Sequence, residues 1–119
     1  MKVCSVSYLN SIPFVYGLEN SGIEVDLSLE IPSVCAKKLQ NNEVDLALLP
    51  IAVIPTLDYA ELVSPYCISC DGAVQTVCLF SEVPLEQIDA ILLDYHSMTS
   101  NALVKILCKH FWKIKPKFK

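Results

Sequence analysis

Along this chain short apolar runs repeatedly give way to turns rich in Asn, Ser, Gly or Pro, and then to residues at helical spacing. Residues 2–8 read as an apolar strand, and residues 13–20 as a helix that Ser21-Gly22 ends, Gly22 suiting a left-handed C-terminal position. Residues 24–30 set Val25, Leu27 and Leu29 against acidic and serine positions, the pattern of a strand with one wet face. Pro32-Ser33 then precedes a short helix over 34–41, with Ser33 as its expected N-cap. Residues 44–49 have the character of a buried strand running into Pro50, and 51–57 form a short helical or irregular segment. Residues 61–68 and 73–81 read as further strands joined through Cys70-Asp71-Gly72, where Asp-Gly marks a tight turn. A helical turn over 84–88 and an apolar strand over 90–94 follow. Tyr95 to Ser100 leads into an amphipathic helix with Leu103, Ile106, Leu107 and Phe111 on one face, and residues 117–119 open another strand. Strands alternating with helices over short connections predict α/β layers and a parallel sheet.

The most informative junction is Val6-Ser7-Tyr8-Leu9-Asn10-Ser11-Ile12-Pro13-Phe14, where a strand breaks into Asn-Ser-x-Pro and feeds a helix. Asn10 or Ser11 is placed to cap the first turn, and Pro13 fits a first-turn position because its missing N–H would be unpaired there anyway. Two further strand ends carry hydroxyls in the same way, Ser33 before the second helix and Ser97 to Ser100 after the strand over 90–94. Ligands of open parallel sheets bind outside the carboxyl ends of strands. Hydroxyls and free helix N–H groups gathered there favour a small anion, most simply a carboxylate. For any one junction an ordinary capped turn is a sufficient account; their joint occurrence points to a site.

Composition narrows the setting. With 119 residues, 53% of them apolar, the chain is one domain's worth of folding sequence. The longest apolar stretch, 46–57, is broken by Pro50 and Pro55 and is too short to span a membrane. Met1-Lys2 opens straight into a strand-like run without a secretory signal pattern, so the expectation is a cytoplasmic protein with no membrane partner. Its six cysteines are then expected to be reduced and mostly buried. Cys67-x-x-Cys70 has half the spacing of a zinc site, but no second Cys/His pair follows, and no metal or cofactor is expected. Residues 1–104 hold three lysines and all thirteen acidic residues, a balance of −10, whereas 105–119 hold six lysines and no acid, +6. A basic tail can bind nucleic acid. Here Lys105 and Lys109 suit a helix C-terminal half, and Lys113, Lys115 and Lys117 alternate as on a strand's wet face, so no nucleic-acid partner is expected. The chain has no arginine, the side chain that grips carboxylates with two parallel donors.

Beyond these patterns, particular residues resemble a known family. Ser7 to Phe14, Tyr16-Gly17-Leu18-Glu19, Ile31-Pro32-Ser33-Val34-Cys35-Ala36, Asp45-Leu46-Ala47-Leu48-Leu49-Pro50, Asp71-Gly72 and Leu93-Asp94 with Ser97-x-Thr99-Ser100 resemble chorismate dehydratase of the futalosine route to menaquinone. The resemblance spans the whole chain with its motifs in order. It implies an α/β protein of the type 2 periplasmic-binding-protein-like fold, adapted to catalysis, with residues 1–86 as the N-terminal part of the first lobe. Residues 87–119 would be the crossover and the opening strand, helix and strand of the second lobe. It implies a longer protein as well, so these residues alone are expected to be inactive and poorly soluble.

By the same resemblance Asn10 is the substrate-orienting or catalytic asparagine, and Thr76 stands where a catalytic serine is usual a few residues after the Asp-Gly turn. Threonine keeps the hydroxyl and adds a stiff methyl. Tyr8, Ser11, Ser33, Ser97, Thr99 and Ser100 are the implied substrate-binding residues. The Ser-Arg-Thr-Ser pattern at the later helix start appears here as Ser97-Met98-Thr99-Ser100, without the cation. The implied reaction is a carbon–oxygen lyase step that removes water from chorismate and leaves an aromatic enolpyruvyl benzoate. Negative charge developing in the ring can spread into the ring carboxylate, where hydroxyl and helix N–H donors stabilise it. Apart from Glu19, at the far end of the 13–20 helix, no His or Glu lies inside the motif segments; His96 and Asp94 are nearest the strand-end motifs, so a carboxylate of the substrate is expected to take the proton. The alternative from another class is a non-catalytic carboxylate-binding or sensing module on the same fold, since a fold does not fix a function.

Overall fold

Every side chain of β1 (Lys2–Val6) after Lys2 is buried, Val3 and Ser5 on one face and Cys4 and Val6 on the other, which makes this strand the centre of its sheet. A computed structural model describes residues 1–119. β2 (Asp26–Glu30) and β3 (Leu46–Ala47) flank β1 in parallel, giving the order β2-β1-β3. Between them run α1 (Ile12–Glu19) and α2 (Pro32–Gln40). The first connection steps from β1 out to β2, and the second steps back across β1 to β3. Right-handed crossovers therefore put the two helices on opposite faces of the sheet.

Most of the packing falls to α2. Its Cys35 joins Cys4 and Val6 in a core closed by Val44, Ala47, Leu48 and Leu49, whereas α1 fully buries none of its residues. Val53, in the 3-10 segment Ile51–Thr56, is fully buried, and Gln40 Nε2 donates to Thr56 Oγ1 at 3.1 Å, tying that segment to the end of α2. After α2 the chain reverses through Asn42 in the left-handed region (φ 57°), while the Asn42 and Glu43 N–H groups donate to the carbonyls of Leu39 and Lys38 at 3.0 and 2.8 Å. Asparagine tolerates that conformation; a branched residue would be strained. Gly22, at φ 74°, makes the expected turn after α1.

The chain divides into two compact units, Met1–Ser69 and Cys70–Lys119. In the second, β4 (Ala90–Ile91) pairs in parallel with β5 (Lys117–Phe118). They are connected by α3 (Met98–Ile106), which runs on into a π-helical stretch, Leu107–Trp112, that Lys113 ends at φ 57°. Ile91 and Cys108 are buried, and the Lys105 ammonium lies 5.7 Å from the Phe118 ring centroid. No helix in either unit is long and apolar enough to cross a membrane.

Several expected elements differ. Residues 61–68 and 73–81 form no strands, and Leu62, Val63, Tyr66 and Phe80 are exposed. Alternation says which face of a strand is apolar but supplies no partner, and a strand forms only against a ladder. The strand expected over 44–49 shortens to Leu46–Ala47, and that over 90–94 to Ala90–Ile91. On α3 the predicted apolar face is open at Leu103, Ile106 and Phe111. Asn101, Val104 and Leu107 are half-buried and Cys108 is buried, so the inward face is turned about one residue from the predicted one. The cysteines split evenly: all six are free thiols, Cys4, Cys35 and Cys108 buried, Cys67 and Cys78 exposed because the strands expected to hold them did not form, and Cys70 exposed between them.

Burial, reinforced by the neighbouring Cys4 sulfur, pushes the Cys35 thiol from its ordinary 9.0 up to about 12. Between those values the unfolded chain has lost this proton while the folded one keeps it, so stability falls as pH rises through the window and is unaffected below it. The urea midpoint is expected to decline above about pH 9, and to decline less steeply in Cys35→Val. Parallel curves for the two proteins would contradict this assignment. Cys108, whose thiol burial also raises, is common to both.

Candidate functional site

β1 and β2 end level with each other. Val6 pairs with Glu30, and the Ser7 N–H donates to the Glu30 carbonyl at 2.9 Å before the chain leaves the sheet's carboxyl edge. Tyr8 is extended (φ −92°, ψ 155°), Leu9–Ser11 makes one 3-10 turn, and α1 follows directly. Tyr8 and Asn10 are exposed, whereas Ser11 is fully buried.

The expected caps are corrected here. Ser11 occupies the N-cap position of α1 but has helical backbone angles (φ −89°, ψ −11°), and its side chain accepts no cap bond; nor does Asn10 stand at a cap position. A capping side chain must swing back from an extended residue, and the 3-10 turn running straight into α1 prevents that. Ser11 Oγ is left buried without a partner. Ser33 is not a cap either: α2 starts at Pro32, after an extended Ile31 (φ −74°, ψ 154°), and Ser33 sits half-buried inside the first turn. Proline's fixed φ favours the first helical position, which starts the helix ahead of the serine.

Topology marks one place on this edge. The connection out of β1 enters α1, while the segment after β3 is tied to α2 on the other face, so the boundary between these strands has the form of the reversal point where doubly wound sheets bind ligands. The turn holding Tyr8, Asn10 and Ser11 leaves β1 there. A separate hollow of about 220 Å³, lined by Lys2, Asp26, Ser28, Lys38, Glu43 and Val44, lies toward the opposite edge, where β1 and β2 begin. Lys38 cannot serve as a free cation for the carboxyl edge: its Nζ donates to Glu30 Oε1 at 2.6 Å, and that carboxylate holds the ammonium above its ordinary range.

The second unit repeats the junction with a true cap. After β4, Asp94 Oδ1 accepts from the His96 N–H at 2.9 Å, and the Asp94 carbonyl accepts from Asn101 Nδ2 at 2.7 Å. The Tyr95 and His96 rings meet edge to face, 4.1 Å between centroids. Ser97 caps α3, its Oγ accepting from the Ser100 N–H at 3.2 Å and lying 2.8 Å from Ser100 Oγ. Thr99 is half-buried in the first turn, and Met98, the first helical residue, is 36% exposed. Thr76 lies exposed in a turn of the same unit.

Within the first unit the fold thus brings Tyr8, Asn10, Ser11 and Ser33 to one sheet edge; within the second it gathers Ser97, Thr99 and Ser100 at one helix start. Sequence reasoning passed over Ser5, buried with an unpartnered hydroxyl, and Asn101, which braces the Asp94 turn. A serine in an apolar strand was the available signal for the first; nothing in the spacing marked the second.

These features define an α/β protein with small parallel sheets and polar turns at strand ends. The sequence model of the family described as menaquinone biosynthesis matches residues 1–119, the whole chain, and the chain belongs to that family.

Proposed function

We propose that this chain carries the chorismate dehydratase function within menaquinone biosynthesis, on a type 2 periplasmic-binding-protein-like architecture. In that reading residues 1–86 belong to the first lobe and 87–119 open the second. The observation that carries it is the position of Asn10, exposed on the turn that leaves β1 at the sheet's reversal point and enters α1. A carboxylate of chorismate meets the N–H groups of Leu9 and Asn10 that open the 3-10 turn ahead of α1, with the Asn10 side chain orienting the ring and Tyr8, Ser11 and Ser33 beside it. By the family pattern Ser97, Thr99 and Ser100 are substrate-binding residues as well, and Thr76 stands in for the pattern's serine. Loss of water aromatises the ring, which drives the reaction, and the donors act on the charge that develops as the proton leaves. The substrate's own carboxylate takes that proton.

Asp94 and His96 supply the test. Asp94 Oδ1 is already engaged by the His96 N–H, the contact of a turn-former, and asparagine can keep it. In the natural gene product that carries these residues, Asp94→Asn and His96→Ala are expected to stay within about tenfold of the parent rate, whereas loss of a true general base costs about 10²-fold or more. A loss of that size in either variant would assign the base to the protein.

A second reading, a carboxylate-binding module without turnover, draws on one observation: exposed Met98 begins α3 where the family pattern has arginine. Binding of chorismate without release of water would favour it.

A further inference from the structure

Cys4 and Cys35 meet in the core of the first unit with their sulfurs 3.1 Å apart, both fully buried and 31 residues apart in sequence. The Cys4 S–H donates to the Cys35 sulfur, and the Cys35 S–H donates to the Ser5 carbonyl at 3.5 Å. A disulfide bond is about 2.05 Å long, so closing this pair takes a movement of about 1 Å. The two sulfurs join β1, which leads to the Asn10 turn, with α2, whose first turn holds Ser33.

We propose that Cys4 and Cys35 form a reversible disulfide that clamps β1 to α2 and so fixes the two turns at the carboxyl edge. The oxidant is hydrogen peroxide. One thiolate attacks a peroxide oxygen, the O–O bond breaks, and a sulfenic acid forms while the released hydroxide takes up the thiol's proton as water. The second thiol attacks the sulfenic sulfur; the S–S bond forms, the S–O bond breaks, and the leaving oxygen departs as a second water. The thiols lose two electrons, the peroxide gains two, and a dithiol reductant reverses the exchange. Because burial pushes the Cys35 thiol up to about 12, thiolate is scarce in the intact core. Closure therefore proceeds through local opening of α2, and the clamp responds to prolonged rather than momentary oxidation.

The exposed Cys67, Cys70 and Cys78 would compete for oxidant, so the test uses the chain carrying Cys67→Ser, Cys70→Ser and Cys78→Ser, changes confined to exposed positions. After hydrogen peroxide, then unfolding and alkylation, free thiols are expected to fall from three to one. A crosslinked peptide pair containing Cys4 and Cys35 is expected, and the thermal midpoint should rise by about 10 °C. Dithiothreitol should reverse all three changes, and a further Cys4→Ala substitution should abolish the crosslink. Three surviving thiols, sulfinic acid at either position without a crosslink, a crosslink to Cys108, or an unchanged midpoint would each overturn the proposal. The outcome is independent of the dehydratase reading, which makes no use of sulfur.

Discussion

Asn10→Ala in the natural gene product that carries these residues is expected to lower chorismate turnover by about 10²-fold or more, the effect of removing one preorganised donor from a developing anion. The same substitution should leave the thermal midpoint within about 2 °C, because an exposed side chain outside any cap position contributes little to folding. The contrast between the two readouts is the point. Asn10 stands in the 3-10 turn between β1 and α1, held there by backbone, the Ser11 N–H donating to the Tyr8 carbonyl at 3.0 Å. Its amide is therefore positioned without being used by the fold. Aspartate at this place keeps the shape but carries a negative charge toward the substrate carboxylate, so Asn10→Asp should lose at least as much rate. Steady-state kinetics beside thermal denaturation checks both, and a variant that unfolds in step with its loss of rate would make Asn10 structural.

Met98→Arg is expected to act in the opposite direction on binding. The side chain at the first position of α3 is exposed, and the Ser97 cap leaves it free to turn outward. Arginine there restores the paired donors that the chain lacks altogether and should lower KM for chorismate by about tenfold at low ionic strength, the gain shrinking as salt is added. The same cation opposes the positive end of the helix dipole and should reduce stability by about 0.3–1 kcal/mol. Tighter substrate binding in a slightly less stable protein is a pair of signs that repacking of α3 does not produce. An unchanged KM would place the start of α3 outside the substrate's reach.

Much of this was legible in the sequence because it is local. The break at Asn10-Ser11-x-Pro13 marked the β1–α1 junction, Gly22 marked the turn after it, and the run Ser97 to Ser100 marked the start of α3, each through a local backbone preference. The errors lay where neighbours decide. Val63, Tyr66, Val77 and Phe80 have strand character, yet no ladder receives them, and pairing is a property of the partner rather than of the run. Ser11 and Ser33 have the chemistry of caps, but a 3-10 turn before one and Pro32 before the other moved the helix starts past them. At the candidate site the residue types were readable and the reversal point was not, since the order β2-β1-β3 is fixed by long-range pairing. The approach of Cys4 to Cys35, across 31 residues, belongs to the same class.

The most direct test of the account is to incubate the natural gene product with chorismate and follow the small molecules by chromatography and mass spectrometry. Chorismate is expected to disappear while an aromatic acid lighter by one water accumulates in equal amount, with Asn10→Ala slowing this at least about 10²-fold. Chorismate that binds and is recovered unchanged, or turnover that Asn10→Ala leaves intact, would contradict it.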